Sequence, residues 1–230
     1  MARRSGTELN LQIDPLGDSA LLVRVRPRDP ADDMIETMLA SARALREAEI
    51  AGVIEIAPAY MTLGVFYDGA RCSFEMMAER IEHALKTVAT TTAPTRIVEI
   101  PVCYEREFGP DLDAVAQHTG LSVEEVIERH SAAEYRVSCV GFTPGFPYLS
   151  GLPNELSTPR RATPRKQVPA GSVAIGGSQT GVYPSVSPGG WHLIGRTRLR
   201  LFDPEADAPA LLQAGDRVRF RAISPDDFDA

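Results

Sequence analysis

From Thr158 to Lys166 the sequence reads TPRRATPRK, which puts four cations, Arg160, Arg161, Arg165 and Lys166, within seven residues. The chain carries a formal charge of −7, so a cationic run against that balance points to a local anionic ligand. Two Thr-Pro steps hold the run extended, because a residue preceding proline is kept out of the helical region. Upstream lies GFTPGFPYLSGLP, Gly141 to Pro153, with three glycines, three prolines and the rings of Phe142, Phe146 and Tyr148. Alternating fixed and permissive backbone specifies one loop path and leaves little entropy to lose on binding, while the rings offer flat apolar faces. Downstream, VPAGSVAIGGSQTGVYPSVSPGGWHLIGRT sets glycines around short strands, where main-chain N–H groups can approach a ligand. Within it Gln179 is a candidate amide reader, Tyr183 a hydroxyl donor, and Trp191 an aromatic wall beside His192. We expect these three segments to meet at one site. Arg165 and His192 are the candidate catalytic groups, and Phe146, Arg161, Lys166, Gln179, Tyr183 and Trp191 the candidate substrate contacts.

Other chemistries are excluded by what the motifs lack. GGSQTG has neither the Lys-Ser/Thr ending nor the following helix of a phosphate loop, and Thr180 stands where a nucleophile elbow around Ser178 requires glycine. No metal ligands are expected, since His83, His118, His130 and His192 are isolated and no Cys pair has ligand spacing. His130 reads as a cation facing the negative end of a helix dipole. An acidic chain with pI near 5.2 is a poor match for nucleic-acid phosphates or an anionic membrane surface. MARRSGTELNLQI lacks the apolar run of a signal peptide, and no window approaches the roughly 18 apolar residues of a membrane span. With Cys72, Cys103 and Cys139 read as reduced thiols, the expected location is the cytoplasm.

The elements that must position these residues fall into two parts. ALLVRV, Ala20 to Val25, is a strand; Asp29 and Pro30 can open a helix whose stripe is Ile35, Met38, Leu39, Ala42 and Leu45. Two strands follow, Val53 to Ala57 and Met61 to Tyr67, separated by Pro58, and then a helix opened by Ser73. The order β-α-β-β-α suits a ferredoxin-like α/β sandwich if a last strand closes it. TTTAPT, Thr90 to Thr95, is the candidate linker, which gives an N-terminal α/β domain over 1–92 and a C-terminal domain over 93–230. The second part opens with a half-buried strand, Arg96 to Tyr104. Asp111 then starts a short helix ended by Gly120, and Ser122 with Glu125 forms a capping box for another. From Tyr135 onward, short β-type runs between Gly/Pro punctuation indicate a barrel.

Together, GFTPGFPYLSGLP, PRRATPRKQVPAGSVAIGGSQTGVYP and SPGGWHLIGRT resemble the allophanate hydrolase subunit 1 family, with a weaker likeness through GDSALLVRV, Asp18 included. That family takes in the B subunit of bacterial ATP-dependent 5-oxoprolinase and the Kip-type inhibitor of a sensor histidine kinase. The resemblance implies that the C-terminal domain is a cyclophilin-like β-barrel. It also implies one part of a heteromeric assembly, whose other parts are a homologous carboxyltransferase-like subunit of the C type and a lactam-utilisation subunit of the A type. The activity implied is ATP-dependent opening of 5-oxoproline to glutamate, with ATP as the cofactor, although this chain shows no nucleotide loop. The alternatives are a urea carboxylase-type carboxyltransferase component and a kinase inhibitor.

Overall fold

The computed structural model describes residues 6–7, 9–27, 34–86, 88–89 and 96–229. The chain divides into two compact units, Met1–Pro94 and Thr95–Ala230. The TTTAPT linker and the Asp29–Pro30 helix start lie outside the described residues.

In the first unit, strands β1 (Leu9–Pro15), β2 (Ala20–Pro27), β3 (Val53–Ala59) and β4 (Thr62–Tyr67) form an antiparallel sheet in the order β1-β2-β4-β3. Period-two alternation turns Leu21, Val23, Val25, Leu63 and Val65 to one side. There they pack on Met38 and Leu45 of α1 (Met34–Glu47) and on Met77, Ile81 and Leu85 of α2 (Phe74–Leu85). Ser73 caps α2, its hydroxyl accepting from the Met76 amide at 3.4 Å.

Two expectations need correction here. Among the described residues no strand after α2 joins this sheet: residues 88–89 pair with 6–7, and β1, from upstream, takes the edge next to β2. Pro58 does not separate two strands but lies inside β3, opposite Leu63. It is tolerated because β3 is an edge strand, where a missing N–H removes no ladder bond.

In the second unit the strands are β5 (Ile97–Cys103), β6 (Glu134–Val140), β7 (Pro147–Ser150), β8 (Arg165–Val168), β9 (Ser172–Gly176), β10 (Gln179–Val182), β11 (Ser187–Gly189), β12 (His192–Arg196) and β13 (Arg217–Ile223). Seven of them close a barrel in the order β9-β10-β7-β6-β13-β5-β12, so the barrel itself has no free edge. All pairs are antiparallel except β13 with β5. β8 and β11 form a separate two-stranded ribbon. Helices α3 (Leu112–Thr119) and α4 (Val123–Ala132) add Leu112, Val115 and Val126 to the barrel core of Ile100, Val137, Leu149, Val173 and Ile194. The Ser122–Glu125 capping box forms in both directions, at 2.8 and 3.1 Å. A final short helix, α5, spans Pro225–Asp229.

His130 overturns its sequence reading. It is fully buried, with its ring stacked on Phe220 at 4.7 Å between centroids. Thr180 donates its hydroxyl to the Ala174 carbonyl at 2.9 Å and so accepts from His130 Nε2, also at 2.9 Å. Nδ1 is then left to accept from the Tyr104 hydroxyl at 2.8 Å. Burial pushes the His130 pKa down to about 3, so the residue is a neutral link from α4 to Tyr104, just past β5, and to Thr180 of β10, rather than a helix-end cation. Because the folded state resists a proton that the unfolded chain takes up below about 6.5, this residue's stability contribution is full above pH 6.5. It is lost as the pH falls toward 3, at up to about 1.4 kcal/mol per pH unit. Urea unfolding at pH 6.5 and 5.0 should show a smaller stability loss in His130→Asn than in the unaltered chain; equal losses would contradict a neutral buried His130.

Candidate functional site

The second unit gathers its chemistry around one carboxylate. Asp111 occupies the N-cap position of α3, yet its side chain caps nothing. Instead it is buried, and its two oxygens accept four hydrogen bonds. Oδ1 accepts from Arg161 Nη1 at 2.7 Å and Arg165 Nη2 at 2.8 Å; Oδ2 accepts from Arg165 Nη1 at 2.7 Å and the Leu193 amide at 2.7 Å. The Asp111 amide in turn donates to the Leu193 carbonyl at 3.0 Å. Burial alone would raise the carboxyl's pKa, but the Arg165 and Leu193 hydrogen bonds and the charges of both guanidiniums outweigh it and hold Asp111 below the ordinary carboxylate value.

Arg161 and Arg165 are therefore not free anion contacts, as a reading of TPRRATPRK alone suggests. They share one buried anion, which leaves the cluster one net positive charge, with side chains 32% and 24% exposed. The Arg165 contact is two-pronged, a geometry that only a guanidinium provides. The Arg161 amide donates to the Gly190 carbonyl at 2.8 Å, and Arg165 pairs with Gly189 across the β8–β11 ribbon. The cationic run is thereby tied along SPGG. Arg160 reaches the other way, its guanidinium 5.9 Å from the Trp191 ring centroid. Lys166 is exposed on β8.

His192, half-buried at the start of β12, lies 3.0 Å by Nε2 from the Pro159 carbonyl. That acceptor requires the proton on Nε2, so Nδ1 in the neutral ring is an acceptor; it is buried and has no hydrogen-bond partner. Arg161 Nε is likewise buried without a partner. Burial is the largest influence on His192 and lowers its pKa; the Asp111 charge opposes this without reversing it.

The aromatic residues come together as packing. Phe146, Tyr183 and Trp191 are buried with Val168, Ala174 and Leu193 in one cluster, with Tyr148 half-buried beside it. Phe146 makes edge contacts with Tyr183 at 5.1 Å and with Trp191 at 5.6 Å. Their faces are spent on one another rather than offered to a ligand. Only Phe142 is open, at 60% exposure. Its φ is +70°, with the Thr143 amide bonded to the Gly141 carbonyl at 2.9 Å, a strained γ-turn. Pro144 and Gly145 (φ +82°) then make the turn that closes from Thr143 to Phe146. Burial is the largest influence on Tyr183 and raises its pKa. Gln179 opens β10 opposite Gly176, so GGSQ is a hairpin turn. Gly176 is required there because a Cβ would lie 2.5 Å from the Trp191 indole.

The site therefore links Phe146, Trp191, Leu193, Asp111, Arg161 and Arg165 through successive contacts. Asp111→Asn leaves two guanidiniums facing a weakened partner and should cost about 2–4 kcal/mol in chemical denaturation, below the range for a fully buried pair because both arginines reach solvent. A cost under about 0.5 kcal/mol would contradict the carboxylate's role. Arg165→Lys should recover less than half of the stability lost in Arg165→Ala.

The carboxyltransferase domain family, subdomain C and D, matches residues 11–212. Among curated relatives, the B subunit of 5-oxoprolinase from Bacillus subtilis (strain 168) is 45% identical over 95% of each chain. Its counterpart from Escherichia coli O157:H7, also a 5-oxoprolinase B subunit, is 44% identical over 89% of this chain and 93% of its own. The crystal structure of TTHA0988 superposes with a TM-score of 0.76 at 39% identity over 89% of this chain, which spans only 40% of that longer chain. The chain thus belongs to the carboxyltransferase domain, subdomain C and D family, within the branch formed by the B subunits of 5-oxoprolinase.

Proposed function

We propose that this protein is the B subunit of an ATP-dependent 5-oxoprolinase, active only with partner subunits. The observation that carries the reading is near end-to-end identity of 44–45% to relatives bearing that name. In the reaction, ATP transfers its terminal phosphoryl group to the lactam oxygen of 5-oxoproline, releasing ADP. Water then adds at the activated carbon, and the C–N bond opens with the ring nitrogen taking up a proton to leave the γ-acyl phosphate of glutamate. A second water displaces phosphate to give glutamate.

The Asp111 cluster suits the substrate's chemistry. One net positive charge, pre-positioned by a buried carboxylate, matches the single carboxylate of 5-oxoproline. The unpartnered Arg161 N–H and the unpartnered His192 Nδ1 offer one donor and one acceptor, the complement of a lactam's C=O and N–H. Lys166, Gln179 and Tyr183 remain candidate polar contacts around it. Phe146 and Trp191 act by holding the loops rather than by touching substrate. The partner reading draws support from TTHA0988, a chain in which the part similar to this one makes up 40% of the length. A carboxyltransferase-like subunit of the C type and a lactam-utilisation subunit of the A type would supply what this chain lacks.

Co-expression with those two partners should give ATP-dependent glutamate formation from 5-oxoproline. None from the reconstituted complex, with turnover on urea instead, would favour the carboxyltransferase alternative, and capture of a histidine kinase's dimerisation helices would favour the inhibitor. Arg161→Ala should lower kcat/KM about 10- to 100-fold, the loss of one charge-assisted contact. Since His192 is held below its ordinary pKa, its neutral form persists under pH 6.5, and the acid limb of kcat/KM should fall below that value and vanish in His192→Gln.

A further inference from the structure

GRTRLRLF, Gly195 to Phe202, begins in the last two residues of β12 and continues beyond it, with its residues alternating in burial. Thr197 and Leu201 point into the core, and Arg196, Arg198 and Arg200 point out. Of the three arginines only Arg196 belongs to a strand, and past it the segment is chain that leaves the barrel ladder. Extended backbone puts same-side residues about 6.6 Å apart. All three arginines line one groove of about 780 Å³, in which Glu107 is the single lining carboxylate.

The guanidiniums are partly fixed. Arg196 donates Nε to the Ala170 carbonyl at 3.0 Å, and Arg198 stacks over Phe228 at 5.0 Å from the ring centroid. Arg200 donates Nε to the Phe202 carbonyl at 3.2 Å and meets Asp203 at 3.0 Å in an exposed pair that an incoming anion can displace. Phe108, half-buried, pairs with Phe228 at 4.4 Å and lines the same groove. A row of three cations, faced by Glu107 within the groove and by Asp203 in the exposed pair at its end, in a protein of net charge −7, is matched by a ligand bearing several adjacent negative charges that takes the place of Asp203 on Arg200.

We propose that the groove formed by Arg196, Arg198 and Arg200 binds a polyphosphate chain, that of a nucleoside di- or triphosphate, with Phe108 as the platform for its base. Its lining shares no residue with the Asp111 cluster, and binding by the isolated chain is independent of whether an assembled enzyme turns over.

Calorimetric titration of the purified full chain with ATP and, separately, with inorganic tripolyphosphate tests this. Both should bind, more weakly in 200 mM than in 50 mM salt. Arg196→Gln and Arg200→Gln should each weaken both ligands about tenfold or more, with far-ultraviolet circular dichroism unchanged. Arg200 makes only exposed contacts, so its variant keeps the test valid if Arg196→Gln misfolds. Phe108→Ala should weaken ATP but not tripolyphosphate if the ring is the base platform. No binding of either ligand, binding untouched by both arginine variants, or binding of ATP without tripolyphosphate would overturn the proposal.

Discussion

A carboxylate withdrawn from water must have its charge met at once, and the geometry around Asp111 follows from that requirement. Four hydrogen bonds from three residues answer it. The consequence reaches beyond electrostatics. The partners lie 50, 54 and 82 positions along the chain, so one ion cluster sets the N-terminus of α3, the cationic loop and β12 in fixed relation. Neutral packing could hold these segments, but it would not leave a surplus positive charge at a defined place. Two cations on one anion do both.

The aromatic cluster is the apolar counterpart of this arrangement. Glycines at 176 and 189 are where the backbone must come close to Trp191 and Tyr183, and the edge contacts among Phe146, Tyr183 and Trp191 fill the space so made. Beneath lies His130, a polar residue in the barrel interior that is tolerated because each ring nitrogen has a partner. The second unit thus settles its buried polar groups by complete pairing at Asp111 and His130. Buried side-chain atoms without a hydrogen-bond partner among its described residues are Arg136 Nε, Thr143 Oγ1, Arg161 Nε, Ser187 Oγ and His192 Nδ1; of these, the ones on Arg161 and His192 belong to residues whose charges act on this same carboxylate or are acted on by it. The surplus positive charge of two arginines on one aspartate is why the Asp111 cluster, rather than the aromatic loop, is the place to look for substrate.

How much of this the sequence shows depends on the range of the interaction. Alternation in ALLVRV and the capping box at Ser122 and Glu125 are local signals, and both are found as read. The segments around Phe146, Arg165 and Trp191 are recognisable by composition, and they do meet. What escapes is long-range or outweighed by a nearer reading. Asp111 looks like a helix cap because a cap explains an aspartate before an apolar run, and nothing local reveals arginines fifty residues away. His130 at a helix end invites a dipole argument that burial overrides. Leu9, Leu11 and Ile13 alternate as a strand should, but beside Arg3 and Arg4 the same residues are also the place where a targeting segment would show its apolar run.

The claim on which the rest turns is that Asp111 and Arg165 stabilise the fold through each other. A double-mutant cycle of Asp111→Asn and Arg165→Gln, followed by urea unfolding at pH 7, measures that directly. A coupling of about 1.5 kcal/mol or more is expected for a two-pronged, largely buried pair. Losses that simply add, to within about 0.5 kcal/mol, would show that the two residues act separately and that the site is not built on this pair.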